Sequence, residues 1–274
     1  MSLFKEWPTI DEMEEFYSSV MNKGLSVLLN SNYYSVGCLY WDRGCARRLR
    51  AIIRCLSNVF TFIPYNKERE YKNLDFGLIE DINIYFNSFI VLIHGYLDDL
   101  AFMIETKLPD KAKHKNPKYI SIQNIKWEKT DSSYKELQKE VKDYLDKSDG
   151  NKLIRDRSVH RFFPYFVSVV DSEDEYNCNH ELAIKYLMNK DFEKYEYYSN
   201  LSEQLIHYKG FVMSDSIEPE EQSVLINSIH CCMVDALDEL LDFTIKVFSI
   251  LFRAQYKNSY SRDPHLINYN WRRT

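Results

Sequence analysis

Arg155 and His160, separated by Asp156, Arg157, Ser158 and Val159, are the residues of this chain best suited to carry a reaction. A guanidinium stays charged at any working pH and grips a phosphate through two parallel N–H bonds. An imidazole titrates near neutrality, so it can accept one proton and return another. These are the groups that metal-free cleavage of a phosphodiester needs most. Their spacing sets a geometric condition. Along an α-helix a five-residue step leaves two side chains about 140° apart, so Arg155 and His160 do not share a face. Asp156 and Arg157, four and three positions before His160, do share its face. Arg155 and His160 therefore reach one phosphate only from a helix start or bend, or where two copies meet across a dimer axis. Asp156 favours the charged imidazole, while Arg155 or Arg157 opposes it. At about 6 Å and an effective dielectric of about 20 each charge is worth roughly 3 kcal/mol, so the effects nearly cancel. The plain alternative is an exposed ion-pair cluster at a helix N-terminus.

The elements that must position such a motif read as helices. Thr9 with Glu12 has the form of a capping box and opens a helix from about 10 to 29. A second helix runs from about 42 to 62 and stops before Pro64. Its Arg43, Arg47, Arg50 and Arg54 recur along one side, either as a solvated face or as a surface that grips an RNA backbone or an acidic partner. A third helix spans about 78 to 107. Ile82, Phe86, Phe89, Ile93, Leu97, Leu100 and Ile104 share one side of it, with Ile84, Val91, Leu92, Tyr96 and Met103 opposite. Such a helix is buried almost all round. The polar stripe Asn83, Asn87, His94 and Asp98 crosses it and must either satisfy neighbouring backbone or line a hydrated cleft.

Residues 108–150 read as a solvent-exposed insertion, crowded with Lys111, Lys113, His114, Lys115 and Lys118 and ending in a charged helix from about 132 to 147. The motif helix should begin near 151 and continue towards 170, kinked or broken at Pro164. After an acidic loop, 171–175, helices are expected at about 180–190 and 191–209. A long final helix covers about 219–256, with Ile229, Met233, Ala236, Leu240, Val247 and Leu251 on its core side. The tail 257–274 is polar and aromatic without clear periodicity.

Composition narrows the class. With 274 residues, 45% of them hydrophobic, the chain can bury a large core, and seven Gly and seven Pro are too few for a turn-rich β-sandwich. A net charge of −6 argues against indiscriminate coating of nucleic acid, though a local basic site remains compatible with it. The start of the chain carries no secretory signal, and the apolar stretch 236–252 contains Asp238, Glu239, Asp242 and Lys246, so a cytoplasmic protein that does not enter the membrane is expected. Six cysteines without a Cys-x-x-Cys unit read as reduced thiols. Cys178-x-His180 and His230-Cys231-Cys232 are too close-set for a zinc site, and no phosphate loop or nucleophile elbow is present, so no metal and no cofactor are expected.

Arg155, a polar second residue in Asp156, and His160 resemble the signature of the HEPN superfamily, all-α proteins that include many metal-independent ribonucleases. The segment from Asp81 to Ala101 resembles the long core helix that precedes the motif in such domains. The resemblance covers roughly 75–170, and more loosely the helical scaffold. It implies a single all-α domain over 1–274. A HEPN-like core of about 75–256 would be interrupted by the lysine-rich insertion at 108–150, which departs from a compact domain of this kind. It further implies that Arg155 and His160 are the catalytic pair, that Asp156, Asn87 and Asp98 support them, and that Arg157 and Arg161 contact RNA. The expected activity is endoribonucleolytic, by attack of a ribose 2′-OH on its own phosphate, in a homodimer with a composite site. A bacterial antiviral-defence or toxin setting, with an antitoxin or defence-complex partner, follows from the resemblance alone. The alternative is a non-catalytic helical module that binds RNA or a protein.

Overall fold

The computed structural model describes residues 8–30, 39–66, 70–72, 74–130, 132–147, 165–214 and 225–252. Arg155, Asp156, Arg157, His160 and Arg161 lie outside the described residues, as do Pro164, Pro219 and the tail 257–274.

The fold is all-α, a bundle of helices with a small antiparallel sheet attached. In chain order the long elements are α1 (Ile10–Asn30), α2 (Ala46–Phe62), β1 (Glu70–Lys72), α3 (Phe76–Lys107), α4 (Lys135–Lys147), β2 (Tyr165–Val170), α5 (Glu173–Met188), α6 (Phe192–Gln204), β3 (Ile206–Ser214), β4 (Leu225–Ser228) and α7 (Ile229–Leu251). A π-helical turn, Tyr40–Cys45, leads into α2. Short 3₁₀ turns connect α3 to α4. The capping box forms as its residues require: Thr9 Oγ1 accepts from the Glu12 N–H, and Glu12 Oε2 accepts from the Thr9 N–H at 2.7 Å.

The chain divides into two compact units. The first comprises 1–19, 52–91 and 151–235, and the second 20–51, 92–150 and 236–274. In the first, Ile52, Leu56, Val59, Ile82, Phe86, Phe89, Ile229 and Met233 are buried. Its sheet is built on β3. One edge of β3 carries β2 and the other carries β1 and then β4, all antiparallel. In the second unit Trp41, Leu49, Tyr96, Leu100, Ile104, Leu240, Val247 and Phe248 are buried, and Trp41 meets Phe248 edge-on at 4.9 Å. Lys23 reaches both Asp238 and Asp242 of α7 there.

All seven residues assigned to the core side of α3 are buried. On the other side Tyr96 and Met103 are buried, while Ile84 and Val91 are exposed, so α3 is less fully enclosed than its apolarity suggests. By length and composition α3 is also the described helix that could cross a membrane.

Three expectations need correction. The stretch towards Val170 is not helix, because Tyr165–Val170 is strand β2. Aromatic and β-branched side chains fit a pleated surface, and β3 supplies the partner for Phe166, Ser168 and Val170, with a register shift between Phe166 and Ser168. The helix expected over 191–209 ends at Gln204, and β3 follows it. The final helix starts at Ile229 and not near 219, since Leu225–Ser228 is strand. Local periodicity does not register any of these strands, because their pairing is with distant segments.

The insertion is also less exposed than its lysines suggest. Ala112, Ile122, Ile125, Leu137 and Val141 are buried, and Tyr144 stacks on Phe243 at 4.3 Å. Lys111, Lys115 and Lys118 do face solvent. One side of this segment therefore completes the core of the second unit, and the other is charged.

Candidate functional site

With Arg155 and His160 outside the described residues, the site is approached from what flanks the motif and from the stripe on α3. Asn83 and Asn87 belong to the first unit. Asn83 Oδ1 accepts from the backbone N–H of Phe166 at 2.7 Å, and Asn87 Nδ2 donates to the Asn83 carbonyl at 2.8 Å. Half of the stripe thus satisfies backbone, the first of the two roles open to it. The backbone it holds, that of Phe166, is six positions beyond His160 in the sequence.

Phe166 is buried and shows why this anchor is needed. Its ring stacks on Tyr208 of β3 at 5.7 Å and tilts against Tyr71 of β1 at 6.2 Å. A buried N–H in such a setting needs an acceptor, and Asn83 supplies it. Asn83→Ala is expected to cost about 1–3 kcal/mol of stability, the usual penalty of an unpaired buried donor. Asn83→Asp, which keeps the acceptor, should cost less. Urea denaturation of the two variants checks the order.

Asp98, in the second unit, is exposed, and His94 is half-buried. The neighbour of Asp98, Asp99, accepts from Arg48 Nε at 2.7 Å. Two glycines frame this pair. A Cβ on Gly44 would lie 2.5 Å from Asp99 Cγ, and one on Gly95 2.1 Å from Arg48 Nη1. Beside it the buried Cys45 thiol donates to the Tyr96 carbonyl at 3.9 Å, and the Tyr96 hydroxyl bonds Thr244 at 2.9 Å. Arg48 thus belongs to a packed structural contact, while Arg43, Arg47, Arg50 and Arg54 are exposed.

Two imidazole–carboxylate pairs were not foreseen. Asp171, immediately after β2, lies 3.1 Å from Nδ1 of the buried His207, close enough for attraction but off the line of a hydrogen bond. In the second unit Nδ1 of His114 is bonded to Glu105 of α3, whose other carboxylate oxygen accepts from the His114 N–H at 3.2 Å. Thirty-six and nine residues separate the partners, at spacings that carry no motif. Only the tertiary structure brings them together.

A third histidine, His230, is sealed. It is fully buried, its Nε2 lies 2.6 Å from the Ile63 carbonyl, and Phe60 and Tyr65 meet its ring edge-on at 4.8 and 5.5 Å. Burial lowers its pKa to about 4 despite the opposing carbonyl bond, so it is neutral and donates from Nε2. Burial also pushes the Cys55 thiol up to about 11 and Cys232 to about 12, which keeps both protonated and poorly nucleophilic. Among the described residues no group of three or more His, Cys, Asp or Glu is placed to hold a metal ion. Comparison with known protein families, with curated proteins and with solved structures finds no match to this chain.

Proposed function

We propose that the chain is a metal-independent endoribonuclease of HEPN-like type, with Arg155 and His160 as its catalytic pair. His160 takes the proton of a ribose 2′-OH, which attacks the adjacent phosphorus. Arg155 stabilises the charge gathered on the phosphate oxygens. As the P–O5′ bond breaks, the proton passes to the leaving 5′ oxygen, giving a 2′,3′-cyclic phosphate and a 5′-hydroxyl. Asp156 sets the charge beside His160, Arg157 and Arg161 contact the strand, and Asn87 supports the segment through Asn83. Asp98 belongs to the same proposal as a supporting residue. Because one regular helix cannot aim both side chains at one phosphate, the reading includes a homodimer with a composite site or a bend in the motif. A cytoplasmic defence or toxin role, with a neutralising protein partner, belongs to the same proposal.

The observation that carries this reading is the tie between α3 and Phe166. A buried core helix that holds the backbone of Phe166, in an all-α fold, is compatible with that reading of Arg155 and His160 and supports it. The second reading, an RNA-binding module without turnover, shares this scaffold and is supported by the exposed arginines of α2. Incubation of the full chain with single-stranded RNA in excess EDTA separates the two. Strand scission is expected, and RNA that is bound yet uncut would favour the module.

A further inference from the structure

The insertion at 108–150 reads as a charged surface segment, yet it holds a cleft lined by polar and aromatic side chains. This opening of about 540 Å³ lies wholly in the second unit and is lined by His114, Tyr119, Gln123, Asn124, Lys126 and Glu128 among others. Its histidine is built in and not incidental. Glu105 is only 4% exposed and directs both of its carboxylate oxygens at His114, one to the ring and one to the backbone. A carboxylate on Nδ1 fixes the orientation of an imidazole and leaves the opposite nitrogen for a ligand. His114 lines the cleft with Nδ1 committed to Glu105, which leaves Nε2 as the ring nitrogen available to a ligand.

The other walls narrow the ligand. Tyr119 is 55% exposed, an amphipathic ring offered to solvent at the mouth of a polar cleft, with the Lys118 ammonium 4.8 Å from its centroid. Stacking on an exposed aromatic ring is how unpaired bases are held, because every base has a π-face. Gln123 and Asn124 carry side-chain amides, which pair with base edges through one donor and one acceptor. Lys126 and Lys118 supply positive charge for a phosphate. Nε2 of His114 offers a polar contact to a ribose hydroxyl. Glu128 disfavours a ligand that is anionic throughout, such as a bare polyphosphate, and tolerates one whose charge sits at one end.

We infer that this cleft binds an unpaired nucleotide, with the base on Tyr119, its edge towards Gln123 and Asn124, and its phosphate towards Lys126. The identity of the strand as RNA rests on the ribonuclease reading, while the cleft itself does not use Arg155 or His160. It would act as a capture point for single-stranded substrate.

The test uses the full chain carrying His160→Ala, so that RNA stays intact, and follows the anisotropy of a short fluorescein-labelled single-stranded RNA. Tyr119→Ala is expected to weaken binding about tenfold, as loss of one base stack does. Tyr119→Phe should bind like the parent, and Lys126→Ala should lower the slope of log affinity against log salt by about one. Equal affinity for Tyr119→Ala and its parent overturns the proposal, as does equal loss in Tyr119→Phe and Tyr119→Ala. AMP serves as the second probe. If AMP binding depends on Tyr119 and RNA binding does not, the cleft takes a free mononucleotide and the assignment to RNA is overturned. Cleavage by the chain with native His160 is assayed alongside. Cleavage without Tyr119-dependent binding sinks the cleft alone, and Tyr119-dependent binding without cleavage sinks the nuclease alone.

Discussion

Replacement of His160 by alanine is expected to slow RNA cleavage by about 10²- to 10⁴-fold, the usual worth of a positioned acid–base group. Arg155→Ala should cost about 10²- to 10³-fold, in line with loss of one charge-stabilising donor set at the developing anion. Arg155→Lys should recover only part of that, because an ammonium keeps the charge but lacks the planar fork that holds two phosphate oxygens at once. Melting curves that overlay the wild type would assign these losses to chemistry and not to folding. The helix-geometry condition adds a sharper expectation. If two copies share each site, mixing Arg155→Ala with His160→Ala chains forms dimers in which one copy supplies the arginine and the other the histidine, and part of the activity returns. A bend within one copy gives no such rescue. Cleavage rates across a mixing series distinguish the two.

Acid should destabilise the first unit through His230. Its folded-state pKa is about 4, against about 6.5 for an unperturbed imidazole. Between these values the unfolded chain binds a proton that the folded chain refuses, so stability falls as pH is lowered from about 6.5 and levels off below about 4. The difference of about 2.5 units corresponds to about 3 kcal/mol at 1.36 kcal/mol per unit. The direction follows from the site: a charged imidazole among Phe60, Tyr65 and Tyr71 would have one carbonyl, that of Ile63, to meet its two N–H groups. Carboxylates also titrate in this range, so the informative quantity is the difference between the wild type and a variant. His230→Gln keeps a donor for the Ile63 carbonyl and cannot titrate. Urea midpoints measured from pH 7 to 4 should fall less steeply for His230→Gln, whatever its stability at pH 7. Parallel curves would show that His230 titrates normally in the folded chain.

Much of the helical scaffold was legible because it is written locally. The Thr9–Glu12 box placed the start of α1, and its predicted range of 10–29 became Ile10–Asn30. The seven-residue apolar side of α3 predicted 78–107 and the helix runs Phe76–Lys107. These signals depend on residues three or four positions apart. The sheet was not legible for the opposite reason. Phe166 belongs to a strand because Val212 pairs with it forty-six positions later, and Asn83 holds its N–H from eighty-three positions before. The stripe on α3 was seen, but its division of labour was not. Asn83 serves backbone, Asp98 faces solvent, and Asp99, which the stripe omitted, carries the ion pair with Arg48. His114 was counted with the lysines around it, whereas Glu105 draws it inwards. In each case the deciding partner is distant along the chain or lies just outside the helical register being read.

The insertion gains most from the structure. Its composition suggested a solvated loop, and its lysines do face water. The underside nevertheless buries Leu137 and Val141, stacks Tyr144 on Phe243, and joins Glu140 to Lys246 at 2.9 Å. A segment docked in this way can present a cleft in a fixed shape, which a freely moving loop could not do without an entropic cost on binding.

The most direct measurement is the chemistry of the cut end. A 5′-labelled single-stranded RNA is incubated with the full chain in excess EDTA, and the 3′ terminus of the product is identified by mass and by its response to phosphatase before and after mild acid. Attack by the 2′-OH under His160 and Arg155 predicts a 2′,3′-cyclic phosphate that forms at the same rate with and without EDTA and is absent with His160→Ala. A 3′-hydroxyl terminus, cleavage that EDTA abolishes, or equal cleavage by wild type and His160→Ala would contradict it.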